Sequence, residues 1–379
     1  MDERLLVVAA AQLSVLVHEG VLAPTLQDRS LGSGTPVHDL NGAVLFERVV
    51  VGESYVDLAV APELGAPVVA VTEQARWEPE LLVEQATAAL RRRRKKADYD
   101  ETRFVAYSFP KLAVQFLRGG QQVALIECYT GAEVPVAQLG RGEKATPPGN
   151  FEAWSFLDQL PAAERRRRVK RFDETVVSVS RFLDEANDVS PTILSERGFL
   201  ERIRSLVDTR QLHYSGRDTD HACYELRGQE TNVWCVGASV QMMLDFYRYD
   251  YTQDRLAAEL GLGTRANPSG LPYSRDGDVV TVLDNMTGKA LTASMNTAPT
   301  FAEYRAEIRA NRPLISFVPG HSRSVAGYVQ NRVAIIPSLG FQGLLVYDPW
   351  PPNAGVITRW ENYNATTYRR TFTARVTLA

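Results

Sequence analysis

The stretch from Gln229 to Tyr247 constrains this chain more than any other. From Cys235 onward, apolar side chains at Val236, Val240, Met243, Leu244 and Tyr247 recur at spacings of three and four, the pattern of a helix with one buried face. The periodicity starts at the cysteine, so Cys235 is predicted at a helix N-terminus. Unsatisfied amides and the positive end of the macrodipole favour the thiolate there, and the thiolate is the nucleophilic form of cysteine. Gln229 lies six residues upstream on a polar loop. Its side-chain amide and the backbone amide of Cys235 together make a candidate oxyanion hole.

A thiol nucleophile needs a base, and the base needs an orienting partner. Downstream, Arg312 to Val318 reads as a strand, and Gly320 to Tyr328 reads as a turn opening a second one with His321 at its mouth. A third apolar run, Gly343 to Tyr347, ends in Asp348-Pro349-Trp350, which places a carboxylate where proline stops the ladder. The candidate residues therefore follow one another as Gln229, Cys235, His321 and Asp348.

Gln229 with Asn232, Trp234 and Cys235, then Arg312-Pro313, Gly320-His321 with Val325 and Gly327-Tyr328, then Tyr347-Asp348-Pro349-Trp350, resemble the papain-like cysteine peptidases. The nearest branch is that of the transporter-free relatives of bacteriocin-processing, double-glycine peptidases. The resemblance covers roughly the last 160 residues and implies Cys235 as nucleophile, His321 as base, Asp348 as orienting carboxylate and Gln229 in the oxyanion hole. It implies a protein or peptide substrate and no cofactor. Two other readings stay open: a transglutaminase-like or amidase acyl transfer by the same thiol, and a catalytically silent papain-like scaffold that binds peptides.

With 379 residues the chain suits more than one unit. The expected fold class is α+β. A papain-like part at 209–379 carries Cys on a helix and His and Asp on an antiparallel sheet. A smaller α+β unit at 1–136, loosely similar in element order to cystatin-like or propeptide domains, precedes it as a possible inhibitory pro-region. Between them, 137–208 reads as a linker, richest in glycine and proline over Val136 to Asn150, followed by a charged helical strap. Within 1–136, strands are predicted at 43–51, 55–60, 68–72, 104–108, 111–117 and 122–128, with a helix over 80–96. Pro24 to Leu40 reads as a loop, Glu196 to Leu206 as a helix, Thr209 to Tyr224 as a polar loop, and Thr366 to Leu378 as an edge strand.

Charge and cysteine content narrow the partners. A net charge of −3 gives no reason to expect a nucleic-acid partner, and no apolar run is long enough to span a membrane. The basic runs Arg91 to Lys96 and Arg165 to Arg171 read as solvated helix ends, neutralised by nearby carboxylates. The apolar run Leu5 to Val17 carries Gln12 and Ser14 and lacks a small-residue cleavage pattern, so it reads as an amphipathic helix rather than a removable signal. The expected compartment is therefore cytoplasmic. Of the three cysteines, a bridge between Cys128 and Cys223 is the oxidised alternative to three free thiols. No metal is expected, because the cysteines lack ligand spacing and the five histidines are scattered.

Overall fold

Apolar and β-branched runs from both halves of the chain join one fourteen-stranded sheet. The computed structural model describes residues 2–94, 98–108, 111–136, 151–201, 203–212 and 224–377. In chain order the strands are β1 Thr35–His38, β2 Val44–Val51, β3 Ser54–Ala59, β4 Val68–Thr72, β5 Glu101–Ser108, β6 Lys111–Arg118 and β7 Gln121–Glu127. They continue as β8 Ser205–Gln211, β9 Leu291–Asn296, β10 Leu314–Val318, β11 His321–Val333, β12 Phe341–Asp348, β13 Val356–Asn362 and β14 Arg370–Val376. Across the sheet they lie in the order β9-β14-β10-β11-β12-β13-β4-β3-β2-β1-β5-β6-β7, and β8 pairs with β11 beyond the end of β10. Only β1 and β5 run parallel among these pairs. The fold is mixed α+β.

The seam between the early and late strands is a ladder. β13 meets β4 through Trp360↔Val71 and Glu361↔Ala70. Helix α1, Glu3–His18, packs over this seam, with Ala9, Leu13 and Leu16 in one core with Val56, Val71, Leu344, Val346 and Trp360. The sequence predicts one buried face for α1, but the structure buries it all round from Val7 to Val17. The reason is helix α3, Ala162–Glu185, whose Val179 and Leu183 cover Val7, Val8, Ala11 and Val15. Polar Ser14 survives inside because it donates to the Ala10 carbonyl and accepts from Leu194 N and Arg197 Nε.

Helix α3 also corrects the reading of its basic run. Arg168 is buried, donating to the Ala365 and Thr366 carbonyls at 3.1 Å each, while Arg171 donates to the carbonyls of Gly65 at 3.0 Å and Asn364 at 2.7 Å. Their spacing of three puts both on one side of the helix, where loop carbonyls without ladder partners need donors. The other run behaves as predicted: Arg91, Arg92 and Arg93 fill the last turn of helix α2, Pro79–Arg93. Lys95 and Lys96 lie outside the described residues.

Three other elements differ from expectation. The stretch predicted as a loop over 24–40 contains β1, and the helix predicted over 196–206 is replaced by turns leading into β8, whose backbone finds partners on β11. β14 is not an edge strand. β9 takes the outer position beside it, and its alternating sequence, Leu-Thr-Ala-Ser-Met-Asn, turns Leu291 and Ala293 inward. Of the loop predicted over 209–224, residues 209–211 instead belong to β8, paired with Val329, Tyr328 and Gly327, and 213–223 lie outside the described residues, as does the linker predicted over 137–150.

Helices α4 Cys235–Phe246, α5 Gln253–Leu260 and α6 Asp278–Met286 pack on one face of β10 and β14. Val240, Met243 and Leu244 of α4 meet Leu256, Leu260, Leu283, Ile315, Phe317 and Phe372 there, but Met242 joins the core under α1 and Ala238, Ser239 and Asp245 are buried too, so the helix is enclosed nearly all round rather than on the predicted stripe alone.

Candidate active site

Strand register brings His321 and Asp348 together. β11 begins at His321, β12 ends at Asp348, and the pairs Ser324↔Tyr347 and Val325↔Val346 set the start of one beside the end of the other. His321 Nε2 lies 2.6 Å from Asp348 Oδ1, which also accepts from the Trp350 amide at 2.9 Å. Arg323, on the same face of β11 as His321, is buried and held by both terminal nitrogens on the carboxylate of Glu361 in β13. Burial opposes charge on Asp348, but His321, Arg323 and the Trp350 amide outweigh it and hold the carboxyl below the usual carboxylate range.

The imidazole is neutral in this arrangement. Burial, reinforced by the cations Lys111 and Arg323, pushes His321 down to about 4 against the pull of Asp348. A neutral ring that gives its Nε2 proton to Asp348 keeps Nδ1 as its acceptor. Nδ1 is buried and has no hydrogen-bond partner among the described residues.

Cys235 opens α4, as predicted. The amides of Val236 and Ser322 lie against its sulfur. Burial raises the thiol's pKa, and although Lys111 and those two amides pull it down, the net direction is upward. Ser239 Oγ donates to the Cys235 carbonyl and accepts from Ser322 Oγ, each at 2.9 Å, which ties the first turn of α4 to β11. No hydrogen bond joins Cys235 to His321 among the described residues.

Gln229 reaches the same place from the other side. Its amide donates to the Pro349 carbonyl at 2.9 Å, and its own carbonyl accepts from Asn353 N at 2.8 Å, so the loop is pinned to the turn after Asp348. Buried Gln253 holds the flanking residues through the Gly228 carbonyl and the Glu230 amide. The side chain of Gln229 turns back on its own loop: Nε2 donates to the Thr231 carbonyl at 2.6 Å, and Oε1 is buried without a partner among the described residues. The structure thus joins His321 to Asp348 and brings Gln229 to their turn. Neither Cys235 nor the Gln229 side chain is hydrogen-bonded to that pair.

A residue that the sequence marks only as the start of a strand completes the site. Lys111, first residue of β6, is buried with Nζ 3.4 Å from the Gly320 carbonyl and 5.1 Å from the centre of the Trp350 ring. A desolvated contact of that kind contributes roughly 2 kcal/mol. Its charge acts on Cys235, Asp348 and Glu127, and burial pulls its own pKa down. Glu127, at the end of β7, is held by Tyr129 N, Thr130 N and Thr130 Oγ1. Beside Lys111 and Asp348 lies a cavity of about 220 Å³, also lined by Trp350, Pro351 and Glu361. The only sequence signal was a lone cation heading a strand of apolar residues. The stretch 267–277 borders the site, since Tyr273 Oη accepts from Gly320 N at 2.6 Å.

Residues 223–376 match the Peptidase_C39 like family. The match supports a C39-type cysteine-peptidase-like domain and spans Gln229, Cys235, His321 and Asp348. Comparison with curated proteins gives no match. Around this C39-like domain, no described helix is long and apolar enough to cross a membrane. Among the described residues no three or more His, Cys, Asp or Glu side chains converge to hold a metal. Cys128 is a free, buried thiol, and Cys223 lies outside the described residues.

Proposed function

We propose that residues 209–379 form a papain-like cysteine peptidase that uses Cys235, His321, Asp348 and Gln229. The observation that carries this reading is the buried 2.6 Å contact between His321 Nε2 and Asp348 Oδ1, which leaves Nδ1 of a neutral imidazole to accept a proton near a helix-opening cysteine. In the reaction Nδ1 takes the thiol proton as sulfur bonds to the peptide carbonyl carbon. The oxyanion is held by the Cys235 amide and by Gln229, whose side chain leaves the Thr231 carbonyl to do so. Collapse breaks the C–N bond while Nδ1–H protonates the departing amine. His321 then deprotonates a water that attacks the thioester, which releases the acid and restores the thiol.

In this reading residues 1–136 and the strap at 137–208 restrain the cleft as a pro-region. Cutting within Val136 to Asn150 or Thr209 to Tyr224 relieves that restraint. An uncut chain as active as a cut one would sink the pro-region. The silent-scaffold reading draws on one feature, the absence of a Cys235–His321 hydrogen bond in the closed site.

The test is intact mass and peptide mapping of the chain and of Cys235→Ala, each incubated with a thiol-directed epoxide and a denatured protein. Wild type is expected to gain one adduct at Cys235 and to cut the protein, and the alanine variant to do neither. A wild-type chain that neither labels at Cys235 nor cuts, even after limited proteolysis has displaced its N-terminal region, overturns the peptidase in favour of the scaffold.

A further inference from the structure

Lys111 has an environment that a strand-opening lysine does not need. Lysine is rarely buried this deeply, and Lys111 is 2% exposed. Its described neighbours include three from the C39-like domain: the Gly320 carbonyl next to His321, the carboxylate of Asp348, and the ring of Trp350 two residues beyond it. A further acidic neighbour, Glu127, belongs to the adjoining strand β7. Cys235, His321 and Asp348 are 1%, 3% and 5% exposed, and the Lys111 charge acts on both Cys235 and Asp348, so the sulfur is closed to a peptide carbonyl in this state.

We propose that Lys111 is an internal lock on the catalytic centre: its ammonium occupies the space beside Cys235 and Asp348 and holds the site closed and unreactive until the β6–β7 meander moves away. This rests on the peptidase reading for what the lock regulates, though not for the lock itself. The chemistry supports it in two ways. An ammonium beside Asp348 supplies that carboxylate with a counter-cation, and the same charge repels a proton on His321, which the leaving amine needs. Withdrawal of the meander takes the cation away, readmits water, and lets the thiolate and imidazolium form together.

The test uses the full chain as wild type, Lys111→Ala and Lys111→Gln, and the second neutral variant serves if the first does not fold. Native alkylation by iodoacetamide is followed at Cys235 and at Cys128 by peptide mass, alongside cleavage of a denatured protein. The Cys235 rate is expected to rise at least about tenfold in a folded neutral variant while buried Cys128 stays slow. The sign is informative, because losing Lys111 also removes a charge that favours the thiolate; only better access makes the rate rise. An unchanged or slower Cys235 overturns the lock and makes Lys111 a thiolate-stabilising residue. Parallel acceleration of Cys128 with a lowered denaturant midpoint also overturns it, because the whole fold has then merely loosened. Faster alkylation without cleavage in any chain leaves the lock and removes the peptidase. Wild type cleaving as fast as the variants leaves the peptidase and removes the lock.

Discussion

The strand-borne half of the candidate site and its helix-and-loop half are built on different principles. His321 and Asp348 end neighbouring strands, so their contact is a consequence of ladder register, and shifting it means breaking hydrogen bonds from Ser324↔Tyr347 through Asn331↔Phe341. Cys235 and Gln229 instead answer to local backbone: amides of Val236 and Ser322 surround the sulfur, and the Thr231 carbonyl holds the glutamine. One half is fixed by the sheet. The other is set by single contacts worth about 1 kcal/mol each, so any change of state belongs there.

The sharpest way to break that contrast is to remove the carboxylate from the fixed half. Asp348→Ala takes away the acceptor that orients His321 and that also binds Trp350 N. Turnover of a quenched peptide, in whichever background hydrolyses it, is expected to fall by about 10³ to 10⁴. Asp348→Asn keeps an oxygen acceptor without the charge and is expected to retain far more activity. Equal losses in the two variants would mean that the charge, rather than the orientation set by the strands, is what matters.

A second test asks whether the fixed half really buries a neutral imidazole. His321 lies at about 4 in the folded chain, against about 6.5 when unfolded. Between those values the unfolded chain binds the extra proton, so stability falls as pH drops from 6.5 to 4 and is fully kept above 6.5. That difference corresponds to on the order of 3 kcal/mol. Denaturant midpoints of wild type and His321→Gln at pH 7, 5.5 and 4 isolate it. Asp245, raised by burial to about 6, has the opposite sign but is common to both chains. Parallel curves would mean that the ring is hydrated and the site already open.

The same division decided what could be read from sequence. Cys235, His321 and Asp348 were legible because each sits where an apolar run starts or stops, and such boundaries survive folding, whereas Gln229 was read only from its place on the polar loop before Cys235. Lys111 was not, since nothing near it in sequence says that β6 comes to Gly320 and Trp350; that follows from the β4–β13 seam, a pairing between residues almost three hundred apart. α1 failed for a related reason. Its burial depends on α3 closing over it, and Arg168 on carbonyls of a loop near the far end of the chain. Tertiary partners decided these cases and local pattern did not.

The smallest effect expected probes the adjustable half. If the Gln229 side chain leaves Thr231 to bind the oxyanion, Gln229→Ala lowers kcat by about 10 to 100-fold and leaves KM nearly unchanged, since the interaction exists only in the transition state. The low end of that range is favoured because the amide must first give up a 2.6 Å bond, and Gln229 Oε1, already buried without a partner among the described residues, offers no compensation in the closed form. The backbone contacts of Gln229 with Pro349 and Asn353 remain in the variant, so the turn after Asp348 should hold its place. A loss below about threefold would leave Gln229 as a tether of its own loop, with the oxyanion left to backbone amides at the start of α4. A rise in KM at constant kcat would instead place the side chain in ground-state binding of the peptide.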